Sequence, residues 1–146
     1  MVVMAGVFAS GLDLLFKKKE PLFWTDSISL CCSDVEAEKQ FWMQAFDCKQ
    51  VKAPKDRDDP LPSDVALKLP GDDMPRILLS DQEEVEKAGF ERPNDHCLVF
   101  TKQLEEAREY LMARGVAVGP IQENGGTESF EIRDPDGTVI EVCREP

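Results

Sequence analysis

The chain predicts an α+β fold in which a strand-helix-strand-strand-strand unit is used twice. Three observations predict it. A strand followed by a helix of mixed apolar periodicity occurs at 27–46 and again at 96–115. The helical stretches are softly alike, "DVEAEKQFWMQAFDCKQV" against "QLEEAREYLMARGVAV", with an offset of one residue. The chain closes on two alternating runs around a tight turn, "FEIRDPDGTVIEVC". The shared order of elements argues for duplication more strongly than residue identity does.

Residues 1–22, an N-terminal extension, come first. Its apolar run is too short to span a bilayer, and Asp13 interrupts it. The lysines follow the apolar run, the wrong order for a signal peptide. A short amphipathic helix packed on the domain or on a second subunit fits better. A single domain then occupies 23–146.

Module one covers about 27–80. It opens with the strand "SISLCC", Ser27–Cys32. Ser33-Asp34 supplies a helix cap, because a short polar side chain can take the free amides of a first turn. The helix then places Val35, Glu38, Phe41, Trp42, Ala45 and Phe46 near one face. A strand at Cys48–Val51 follows. The segment "APKDRDDPLPSD" is too rich in Pro and Asp for a ladder, and "VALKLP" and "PRILLS" complete the module.

A polar linker, 81–94, contains a short helical turn. Module two, about 95–144, opens with "HCLVFT". Its helix sets Leu104, Ala107, Arg108, Leu111 and Met112 near one face, and Gly115 closes it. A strand "VAVGPI", a Gly125-Gly126 turn and the closing hairpin follow.

The 146 residues suffice for one domain with a real core. A net charge of −12 argues against nucleic acid as a partner. The acidic runs read mainly as a solvated surface, and they suit a cationic ligand. Five cysteines without a C-x-x-C pair form neither a disulfide framework nor a structural zinc site. Reduced thiols in a cytoplasmic protein, with no membrane association, are expected.

The paired modules, the "DVEAEKQFWMQAF" helix and the closing "RDPDGTVIEV" resemble the vicinal oxygen chelate superfamily, over Ser27 to Arg144. That superfamily contains glyoxalase I, extradiol dioxygenases, and fosfomycin- and bleomycin-resistance proteins. The resemblance implies two curved sheets forming a half-barrel around a cavity. In metal-dependent members a divalent ion such as zinc, nickel, manganese or iron sits there, on ligands from the first and last strands of each module. Carried over, those positions fall on His96 and Glu141 in module two, and on Ser27 and Leu78 in module one.

Strand alternation puts Val139, Glu141 and Cys143 on one face and Ile140 and Val142 on the other. The Glu141 face would line the cavity with His96, Leu98 and Phe100, leaving Cys97 and Val99 behind. Ser27, Ser29 and Cys31 would form the module-one wall. An imidazole and a carboxylate are donors a divalent ion accepts. A catalytic site usually has three protein ligands, and Cys31 or Glu131 would have to complete this one. Cys31 reads foremost as an inert small apolar residue, and Phe41 and Trp42 as core packing. Arg76 would share the Leu78 face.

Two functions follow from the resemblance. One is a protein of the bleomycin-resistance kind, holding a small molecule in a cavity with an incomplete metal site. The alternative is a metal-dependent lyase or isomerase of the glyoxalase kind, with Glu141 as ligand or proton shuttle. A glyoxalase reaction also needs an acid from module one, and extradiol cleavage needs a second histidine. This chain has a single histidine. Homodimers are common in the superfamily, and "VFASGLDLLF" would suit an interface.

Overall fold

The computed structural model describes residues 21–53, 63–90 and 96–146. Module one contains β1 (Ile28–Cys32), α1 (Val35–Phe46), β2 (Lys49–Val51), β3 (Val65–Lys68) and β4 (Ile77–Asp81). A short helix, α2 (Gln82–Lys87), follows. Module two contains β5 (Cys97–Thr101), α3 (Leu104–Ala113), β6 (Gln122–Asn124), β7 (Thr127–Arg133) and β8 (Val139–Arg144). The expected extension lies in 1–20, outside the described residues, as do 54–62 of the Pro/Asp-rich loop and 91–95 of the linker.

Each module makes a four-stranded mixed sheet, in the orders β1-β4-β3-β2 and β5-β8-β7-β6. The first and last strands of each module pair in parallel, and the other pairs are antiparallel. The same topology twice is the physical content of the duplication. The modules meet where Trp24 and Phe100 exchange backbone hydrogen bonds, at 3.0 and 2.8 Å. Their rings stack there with centroids 4.6 Å apart. The sheets stay open and form the predicted half-barrel.

Helix α1 begins as its sequence dictates. Asp34 is extended, and its carboxylate accepts from Ala37 N at 3.0 Å. At the other end Asp47 turns left-handed, with φ of 56°. Trp42, Ala45 and Phe46 are buried against the sheet, where Phe46 meets Phe23 edge to face. In α3 the buried stripe is Leu104, Ala107 and Leu111. Met112 is an exception to the expected face. It follows Leu111 by one residue, about 100° around the helix, and is exposed. The apolar faces of both sheets and both helices merge into one core.

The expected strand at "VAVGPI" is absent. Pro120 has no N–H for a ladder, and one backbone bond, Gly119 N to Glu131 O at 2.9 Å, ties this segment to β7. Pairing resumes in β6, one residue past the predicted run. The linker's helical turn is α2, capped by Asp81 accepting from Glu84 N at 3.0 Å.

Candidate binding site on the concave face

Strand parity decides what faces the cavity. In β8, Ile140 and Val142 are fully buried in the core, so Val139, Glu141 and Cys143 point the other way. In β5, Val99 is fully buried and Leu98 is 42% exposed. Leu98 and Glu141 are register partners, so they share a face. Glu131 lies directly opposite Glu141 across the hairpin and shares its face.

His96 stands just ahead of β5 and reaches across to β8. Its Nε2 lies 2.9 Å from Glu141 Oε1. The second oxygen, Oε2, accepts from Ser129 Oγ at 2.6 Å. Both carboxylate oxygens are therefore engaged by module two itself. Ser129 was missed in the sequence. The odd-residue alternation that joins Ser129 to Glu131 would have signalled it, given the hairpin register.

Beside this pair lies a cavity of about 360 Å³ between the start of module one and β5. Its walls bring together Asp26, Ser27, Ser29, His96, Leu98 and Phe100. Thr25, also in the wall, fixes the two modules by donating to Leu98 O at 2.8 Å. Nothing in the local sequence singled out Thr25 or Asp26, because their position depends on the meeting of two modules. Leu78 is the register partner of Ser29 and is half-buried, while Cys31 lies two residues further along β1, buried beside Ser80. Neither belongs to the walls of this cavity. Arg76 is engaged with Asp72 at 2.9 Å and with the Asp26 carbonyl at 3.2 Å. Cys143 shares the Glu141 face, and burial, followed by the charge of Glu141, pushes its thiol up to about 11.

A larger cleft, about 600 Å³, opens elsewhere, between Phe41 and Gln44 of α1, residues 115–119 and the end of β7. His96 and Glu141 take no part in it.

The donors do not suit a resident divalent ion. His96 and Glu141 are bonded to each other, and Ser129 holds the remaining carboxylate oxygen. The module-one positions supply a serine and a leucine. Among the described residues, no three His, Cys, Asp or Glu side chains converge as a ligand set. A catalytic zinc site typically has three protein ligands.

Two βαβββ modules meet edge to edge beside a polar cavity. The family profile for the Glyoxalase/Bleomycin resistance protein/Dioxygenase superfamily matches residues 24–142, and the chain belongs to that superfamily. No curated protein sequence matches. Among solved structures, the fold is similar to a superfamily member from Sphaerobacter thermophilus, at 22% identity and a TM-score of 0.61, covering 84% of this chain and 97% of that one. It is similar to TnmS3, an antibiotic binding protein from Streptomyces sp. CB03234, at 20% identity and 0.60, covering 84% and 96%. It is also similar to a lactoylglutathione lyase from Agrobacterium tumefaciens, at 22% identity and 0.60, covering 81% and 90%. At these identities the likeness is one of fold. No helix among the described residues is long and apolar enough to cross a membrane.

Proposed function

We propose that this protein binds a small molecule in the cavity between the two modules, without a resident metal. The observation that carries this reading is the closed set His96–Glu141–Ser129, in which both carboxylate oxygens already have partners. Such a group presents hydrogen-bonding edges to a ligand, and its two ionisable side chains fall short of the three protein ligands typical of a catalytic zinc site.

The walls suggest the ligand's chemistry. Leu98 and Phe100 offer apolar surface, Asp26 and two serines offer acceptors, and His96, itself in the wall, is held by Glu141 from behind. A molecule with an apolar or aromatic body and a cationic or donor group fits both. The net charge of −12 would attract it. The fold likeness to an antibiotic binding protein supports a binding role of this kind. A homodimer is the assembly we propose, and light scattering in solution measures it.

The test is a thermal-shift screen of cationic and neutral aromatic small molecules, with metal content measured by mass spectrometry after reloading with zinc, nickel, manganese and iron. Metal-free protein is expected to be stabilised by cationic members of the panel, and Glu141→Gln and His96→Ala to lose the shift. Stoichiometric metal that disappears in His96→Ala would overturn this reading in favour of the metal-dependent lyase or isomerase.

A further inference from the structure

Glu38 is the carboxylic acid on the buried face of α1, and it is 1% exposed. Its Oε2 accepts from Trp42 Nε1 at 2.9 Å. The titratable groups facing it come from two other elements: Cys32 at the end of β1, and Asp134 and Asp136 in the turn between β7 and β8. No cation is among them.

Asp134 is also enclosed, at 6% exposure. Its Oδ1 accepts from Asp136 N at 3.0 Å and from Thr138 N at 2.7 Å, which shapes the "DPDG" turn. Its Oδ2 is buried and meets no N–H or hydroxyl donor. What lies against Asp134 is the Glu38 carboxyl. Two buried carboxylates in contact, with no cation among the described groups that act on Glu38 and one oxygen lacking a donor, would oppose folding. One shared proton removes both problems. It gives Asp134 Oδ2 a donor and leaves Glu38 Oε2 free to accept from Trp42.

We propose that Glu38 is neutral at physiological pH and donates its O–H to Asp134 Oδ2, so that one proton latches the module-one helix to the module-two hairpin. A second contact spans the same junction. Ser33 donates its backbone N–H to Asp136 Oδ2 at 3.0 Å and its hydroxyl to Asp136 Oδ1. The hairpin held this way is the one that carries Ser129 and Glu141.

The latch is sensitive to pH. Burial, and then the contact with Asp134, push the Glu38 carboxyl from 4.5 up to about 8. Below 4.5 both folded and unfolded chains hold the proton. Between 4.5 and about 8 the folded chain keeps a proton that the unfolded chain has released. Stability therefore falls with rising pH, by about tenfold in the folding equilibrium per pH unit. Above about 8 both states have lost the proton and the latch is open.

The test pairs a carboxyl-carbon NMR titration of the wild-type protein with urea unfolding from pH 5 to 9.5 of wild type and Glu38→Gln. The glutamine keeps a donor for Asp134 and an acceptor for Trp42 but does not titrate. The Glu38 carbon is expected to titrate near 8, with the Trp42 indole N–H shifting at the same pH. Relative to Glu38→Gln, the wild-type folding equilibrium should fall roughly several hundredfold from pH 5 to pH 8. A Glu38 carbon titrating in the ordinary carboxylate range, or parallel stability curves for the two proteins, overturns the proposal. Should Glu38→Gln not fold, the wild-type titration decides alone.

Discussion

Ser129 donates its hydroxyl to Glu141 at 2.6 Å, and the two residues are diagonal neighbours across the β7–β8 hairpin. Ser129 is buried, and Glu141 is 22% exposed. A hydrogen bond to a carboxylate is stronger than a neutral one, and partial exposure reduces its net effect. Ser129→Ala is expected to cost about 1 kcal/mol in urea unfolding. It should also weaken ligand binding, because Glu141 loses one of its two anchors. Unchanged binding by isothermal titration would show that His96 alone orients the carboxylate.

Glu131 faces Glu141 directly across the same ladder, and Glu131 is exposed. Like charges in register repel. Glu131→Gln is therefore expected to raise stability by roughly 0.5 kcal/mol at low ionic strength. The gain should shrink in high salt, since screening already weakens the repulsion. A destabilised variant would mean that Glu131 has a stabilising partner of its own.

Trp42 is fully buried and gives its indole N–H to Glu38. Trp42→Phe keeps a ring in place, removes volume and takes the donor away. The expected loss is about 2–4 kcal/mol, combining cavity and hydrogen-bond terms. Differential scanning calorimetry measures it. A loss under about 1 kcal/mol would mean that the surrounding core collapses around the smaller ring.

The thiols of Cys48 and Cys143 are pushed up from 9.0 to about 12 and about 11, in both cases chiefly by burial. At pH 8 they should be thiols and react slowly with iodoacetamide in the folded protein. From pH 9 the unfolded chain loses these protons first, so stability should fall as pH rises toward 11. Mass spectrometry of peptides alkylated at pH 8 checks the first point. Rapid labelling of Cys143 would indicate an opening of the concave face.

Much of this molecule is legible along the chain. The alternation in "TVIEVC" and "HCLVFT" puts Glu141 and Leu98 on the face away from the core, because a strand has only two sides. Asp34 and the turn at Asp134–Gly137 bound their elements through local hydrogen bonds, which neighbouring residues alone can specify. The strand expected at "VAVGPI" shows the limit of apolar pattern, since Pro120 and Gly119 withhold the donors and stiffness that a ladder uses.

What lay beyond reach of the chain's own pattern depends on where one module meets the other. Asp26 and Thr25 enter the cavity because the lead-in to β1 runs alongside β5. Ser129 reaches Glu141 through a register set by the folded hairpin. Glu38 reads locally as a polar intruder on an apolar helix face, and its partner Asp134 lies 96 positions later. Local alternation and caps act over a few residues and survive in any context. Contacts between distant segments exist only after the chain has folded, when burial sets which side chains share a wall and which carboxyl keeps its proton.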